Sequence, residues 1–197
     1  TINYKYDDTR GKAIVTIEQT QTTGKIFKLP IAIDIYTGAK KARHNVWAEN
    51  RIDSFTFSYT KRPDLINVDA DKILLCEKTD NKTADNYVHQ IKYAPLYLDR
   101  KEALEYFAEN DMKELAEGLK DKFGSLREYS IYKISEGKFF KDAAVIKTVE
   151  EIAAKETDKK AKAAALEFLA KTADKKYLGI FKTNINEGFF LFLFPMA

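Results

Sequence analysis

Two periodicities divide the chain. Phe27, Leu29, Ile31, Ile33 and Ile35 recur at every second position, with Lys28, Pro30, Ala32 and Asp34 between them. This alternation predicts a β-strand buried on one face. Pro30 stands on the opposite parity, which places the strand at a sheet edge or across a bulge. Residues 13–19 alternate in the same way around Val15 and Ile17, and residues 55–59 around Phe55, Phe57 and Tyr59. Shorter strands are predicted over 45–48, 65–68, 73–76 and around 88–93. Thr22-Thr23-Gly24, Thr37-Gly38, Arg62-Pro63-Asp64 and Asp69-Ala70-Asp71 supply turn signals between them. Short strands at roughly ten-residue spacing predict a small β-sandwich.

Beyond Leu98 the period lengthens to that of a helix. Ala103, Leu104, Phe107 and Ala108 follow Asp99, which reads as an N-cap. Further amphipathic stretches cover 112–119, 126–134, 143–154, 161–170 and 177–185, with Lys and Glu on the intervening positions. Three of these share a pattern: Arg100, Ala103, Leu104, Phe107; Arg127, Ser130, Ile131, Ile134; and Lys162, Ala165, Leu166, Leu169. The offsets are 27 and 35 residues. A small residue followed by two apolar ones a turn apart suits stacked helix pairs, so the half reads as an irregular, HEAT-like array. An ordinary helical bundle is the competing reading. The fold class is thus β plus α in separate domains, a sandwich over 1–95 and a helical repeat domain over 96–197.

Composition sharpens the division. Residues 1–95 hold 11 of the 15 Thr, and residues 96–197 hold 14 of the 22 Ala. Net charge is +3 in the first half and zero in the second, so neither is a charged tail. Of the basic residues 27 are Lys and 6 are Arg, which suits a solvated surface better than phosphate recognition. The longest apolar run, 189–194, has six residues and falls far short of the ~18 needed to span a bilayer. Thr1 stands first with no basic-then-apolar leader, which reads as a processed chain or a piece of a longer one.

Little of the sequence points to chemistry. His44 and His89 are the two histidines, and no His-Glu-x-x-His occurs. Cys76 follows Ile73-Leu74-Leu75 and reads as a buried, inert thiol. No Gly-x-Ser-x-Gly, Walker loop or Gly-x-Gly-x-x-Gly is present. Asp7-Asp8 and Glu150-Glu151 read as solvated carboxylates. Lys40, Lys41, Arg43 and His44 near Trp47 form a basic loop, too weak in a near-neutral chain to predict a nucleic-acid partner. Tyr4, Tyr6, Phe27, Tyr36, Trp47, Phe55, Phe57 and Tyr59 are expected to fill the core; an exposed carbohydrate-binding platform is the other use of such rings. No residue is assigned as catalytic, cofactor-binding or metal-ligating.

The order of segments carries a resemblance. Ile17-Glu18-Gln19-Thr20-Gln21, Phe27-Lys28-Leu29-Pro30-Ile31 and Arg62-Pro63-Asp64-Leu65-Ile66-Asn67-Val68-Asp69, followed by Tyr97-Leu98-Asp99-Arg100-Lys101-Glu102-Ala103, resemble the aminopeptidase N-like zinc metallopeptidases. In that family the first three belong to a small β-sandwich after the catalytic domain, and the fourth opens a superhelix of helix pairs. The family's zinc ligands and glutamate base lie upstream of this region, so none carries over to a residue here. The resemblance implies a non-catalytic C-terminal part of a zinc aminopeptidase. Zinc would sit in the absent catalytic domain, and that domain and its peptide substrate would be the partners. Residues 188–197 depart from the family, so an aberrant or truncated end is expected there. The alternative function is a stand-alone protein- or peptide-binding module.

Overall fold

The computed structural model describes residues 1–186, with side chains placed through residue 184. The expected departure at 188–197 lies outside them. Strands precede helices: β1 (Ile2–Asp7), β2 (Lys12–Glu18), β3 (Leu29–Thr37), β4 (Lys40–Ala48), β5 (Ile52–Ser58) and β6 (Leu65–Val68), then α1 (Ala84–Tyr93), α2 (Tyr97–Glu109), α3 (Gly124–Glu136), α4 (Ala143–Lys155), α5 (Lys159–Lys171) and α6 (Leu178–Asn186). Tighter 3-10 helices occupy Lys113–Lys120, Lys138–Lys141 and Lys175–Tyr177. Two compact units result, Thr1–Ala103 and Leu104–Ala197 by chain number, with the division inside α2.

The first unit contains two three-stranded antiparallel sheets, ordered β1-β2-β5 and β4-β3-β6. Val15 stands opposite Tyr4 on one side and Phe55 on the other. Alternation along β2 buries Ala13, Val15 and Ile17, which join Ile31 and Ile33 of β3 and Ile66 and Val68 of β6 in one apolar cluster. Each of the valine and isoleucine side chains contributes ~2 kcal/mol when fully buried. The β1–β2 turn closes through Gly11, whose φ is +59° and whose carbonyl accepts the Tyr59 amide at 2.8 Å. A Cβ there would collide with the Tyr59 carbonyl.

β3 is not an edge strand. It lies between β4 and β6, and both its faces are buried, Ile31 and Ile33 on one and Ala32, Asp34 and Tyr36 on the other. Pro30 is tolerated because β6 pairs only with Ile33 through Tyr36. The Ala32 and Tyr36 carbonyls accept from Ala70 and Asp64 on that side, so Pro30, of the same parity, turns its missing donor beyond the end of β6. Buried Asp34 is neutralised by Lys41 Nζ at 2.6 Å and by Arg43 Nε at 2.6 Å and Nη2 at 2.9 Å. The basic stretch at 40–43 is therefore part of β4, not a loop, and two of its charges serve Asp34.

Two predicted strands are absent. Residues 73–76 form an irregular loop, and Cys76 within it is exposed rather than buried. Residues 88–93 belong to α1, whose start is fixed by a capping box between Thr83 and Asn86. Tyr87, Gln90, Ile91 and Ala94 form its buried stripe at helical spacing. The aromatics divide: Tyr36 and Phe57 are buried, whereas Phe27 and Trp47 are exposed, with Lys28 lying 4.8 Å over the Trp47 ring.

In the helical residues the repeated pattern has a structural meaning. Ala103, Leu104, Phe107, Ser130, Ile131, Ile134, Ala165, Leu166 and Leu169 are all buried. The small member allows close approach: Ser130 lies against Gly118, where a Cβ would clash with its hydroxyl and with Leu104. The basic member follows the C-cap of the preceding helix by six residues each time, Arg100 after Ala94, Arg127 after Asp121 and Lys162 after Glu156. Arg100 Nη1 donates to the Ala94 carbonyl at 3.4 Å, and Arg127 Nη1 donates to the Asp121 carbonyl. Each arginine thus satisfies a carbonyl that its helix end leaves unpaired. Arg127 also makes a bidentate pair with Glu156, at 2.6 and 2.8 Å.

That pair is mostly buried, so removing one partner strands the other charge. Arg127→Met is expected to lower unfolding stability by ~3 kcal/mol in urea titration. Adding Glu156→Gln to that variant should recover part of the loss, as a double-mutant cycle would register.

Candidate functional site

Chemistry-bearing side chains concentrate where the 69–82 segment meets β1, α1 and the first turn of α2, all within the first unit. The chain reaches this place through two left-handed residues, Asp69 at φ 53° and Lys72 at φ 52°. For a lysine this conformation costs ~1 kcal/mol. The Asp69 carboxylate accepts the Ile73 amide at 3.2 Å and closes the turn.

Lys72 Nζ then lies 3.0 Å from Asp99 Oδ1 and 3.2 Å from Glu102 Oε2. Lys78 Nζ reaches Glu102 Oε1 at 2.7 Å, and Lys82 Nζ reaches Asp80 Oδ2 at 2.8 Å. Neutral groups complete the network. Asn67 Nδ2 donates to Asp99 Oδ1 at 2.9 Å, Gln90 Nε2 to the Asp99 carbonyl at 2.7 Å, and the Tyr4 hydroxyl to Asp80 Oδ1 at 2.7 Å. Three ammonium groups pair with three carboxylates, and the buried Asp69 carboxylate feels the charges of Lys72 and Lys78 as well. Asp99 is consequently not an N-cap. It lies inside the first turn of α2, fully buried.

Burial and mutual charge set the protonation of these groups. Burial alone would lower Lys72, but Glu102 and Asp99 outweigh it and hold the ammonium above its ordinary value. Burial would likewise raise Glu102, but Lys72, Lys78 and Lys82 hold it below. Lys82 moves the other way: burial pushes it below the usual lysine value, repulsion from Lys72 and Lys78 adds to this, and Asp80 opposes it. Burial, reinforced by Asp80, drives the Tyr4 phenol well up. A lowered lysine has the chemistry of a nucleophile or general base. The Lys82 side chain, however, is only 1% exposed, which closes it to a substrate.

The other candidate groups are dispersed. His44, on β4, packs its ring 4.8 Å from that of Phe57. His89 is on α1, its Nε2 3.0 Å from the Gly38 carbonyl. Cys76 belongs to neither environment. Among the described residues no three His, Cys, Asp or Glu side chains are grouped so as to hold a metal ion. Sequence reasoning missed the ionic cluster because its members and their neutral partners come from five segments with no shared period. A second feature of this unit is an open cleft of about 730 Å³ between α1, β1 and the turn before β6.

The chain matches no protein-family model and no curated protein. In three dimensions it is similar to Legionella pneumophila aminopeptidase A, crystallised in complex with aspartic acid, with a TM-score of 0.58 at 8% sequence identity. The likeness covers 93% of this chain and 28% of that one, and at this identity it establishes the fold alone.

The ionic cluster predicts an acid-labile unit. Glu102 has an ordinary value of 4.5 and a lower one when folded, so its contribution is complete above pH 4.5 and is lost as pH falls through the folded value. Glu102→Gln should reduce stability at pH 7 by ~1–2 kcal/mol and flatten the acid limb of a stability–pH curve.

Proposed function

We propose that this chain is a non-catalytic C-terminal part of an aminopeptidase N-like zinc metallopeptidase, acting as a scaffold that shapes or covers the peptide cleft of a catalytic domain elsewhere in the polypeptide. The observation that carries this reading is the asymmetric likeness: nearly all of this chain corresponds to just over a quarter of an aminopeptidase. The order of sequence segments resembling that family supports it independently.

In this reading the two sheets are a sandwich serving as a rigid spacer over 1–95. The corner repeated at Arg100, Arg127 and Lys162 generates a HEAT-like helical array from 96 onward. A wall built of stacked helix pairs takes its curvature from each corner, which suits a surface that limits access to a cleft. Zinc would belong to the catalytic domain rather than to any residue of this chain. The partners would be that domain and the peptide it hydrolyses.

The test compares the 197-residue chain with the product of its complete reading frame. The full product should contain His-Glu-x-x-His upstream of Thr1, carry one zinc per chain by elemental analysis, and hydrolyse aminoacyl anilides. The chain alone should do neither. Turnover by the isolated chain that survives removal of contaminants would overturn the proposal, as would a start codon immediately before Thr1, which favours a stand-alone binding module.

A further inference from the structure

We propose that the cleft beside α1 binds a short peptide with free ends, about three residues long. The inference uses only groups of the first unit and is independent of the functional reading above. The buried stripe of α1 leaves Asp85, Val88, His89 and Lys92 aligned on the opposite face, and all four line the cleft. Asp85 stands in the first turn and Lys92 in the last. Seven residues of helix separate them by about 10 Å. An extended peptide advances ~3.4 Å per residue, so the amine and carboxylate of a tripeptide match this separation.

The remaining groups fit the same ligand. Lys92 and Asp85 are exposed and have no partner among the described residues. The walls, by contrast, are fixed. Asp64 accepts the Gly38 amide at 2.7 Å through its carboxylate and Asn86 Nδ2 at 2.8 Å through its carbonyl. His89 is held by the Gly38 carbonyl and lies 4.4 Å from the Tyr93 ring, tilted by 30°. Tyr93 is 44% exposed, so the His89–Tyr93 pair offers a planar surface to a side chain of the ligand. Arg62, stacked 4.1 Å over Tyr6 and paired with exposed Asp8 at 3.3 Å, adds a second cation. The cleft therefore combines an acid at one end of α1 and a lysine at the other, with His89, Tyr93, Tyr6 and Arg62 in its lining, in a volume suited to a small ligand.

The probe is the tripeptide Ala-Phe-Ala, titrated into the full chain by calorimetry and by amide chemical shifts of α1. Saturable binding is expected, with N-acetyl-Ala-Phe-Ala-amide about tenfold weaker. Lys92→Glu and Asp85→Lys should each weaken the free tripeptide about tenfold. Lys5→Glu, outside the cleft, should change it less than about twofold. Both cleft positions are exposed, and unchanged circular dichroism would confirm folding of the variants. No saturable shift up to about 10 mM, equal affinity for free and blocked peptides, or unchanged affinity in both charge-reversed variants would overturn the proposal.

Discussion

The first unit depends on a balance of buried charge. An irregular segment of a dozen residues cannot satisfy its own backbone and side chains as a strand or helix does. Here its three lysines, at 72, 78 and 82, are held by Asp80, Asp99 and Glu102. The energetic asymmetry of such pairs explains their role. A complete buried network contributes little net stability over an apolar one, whereas removing one member leaves a charge stranded at a cost of several kcal/mol. The network therefore specifies a conformation. It fixes where the chain leaves β6 and where α2 begins, and the left-handed backbone at Lys72 is tolerated because the ammonium it delivers has two carboxylate partners.

The same logic recurs on a smaller scale. Asp34 is buried in the middle of a three-stranded sheet and is matched by Lys41 and Arg43 across the β3–β4 pairing. Arg127 joins Glu156 and a helix-end carbonyl in the second unit. In all three places a polar side chain organises the backbone around it. In each the charged groups are engaged with one another. The peptide cleft proposed beside α1 differs in kind, since its end charges are exposed and unengaged.

Much of the fold was legible where one periodicity dominates. Val15 and Ile17 on β2, Ile31 and Ile33 on β3, and the Ala–Leu–Leu pattern of α5 each report a buried face directly. Errors arose where local pattern and tertiary context disagree. Ile73-Leu74-Leu75-Cys76 reads as a strand from its apolar run, yet the lysines flanking it are drawn into the ionic cluster and the run itself forms a loop. Val88, Ile91 and Tyr93 suggest a strand by type, but the Thr83–Asn86 capping box and the Tyr87, Gln90, Ile91, Ala94 spacing were the stronger signals. Asp34 reads as a polar face residue, because nothing local announces that Lys41 and Arg43 will meet it. The ionic cluster joins residues up to a hundred positions apart, and no sequence period encodes it.

The central claim is that the buried lysines hold the chain in place and do not react. Amine acetylation of the native protein, followed residue by residue by mass spectrometry at pH 8, tests it most directly. Lys72 and Lys82 should label far more slowly than exposed Lys92, and only as fast as the unit opens. If Lys82, with its lowered affinity for protons, labels faster than Lys92, it is an accessible nucleophile and the structural account of the cluster is wrong.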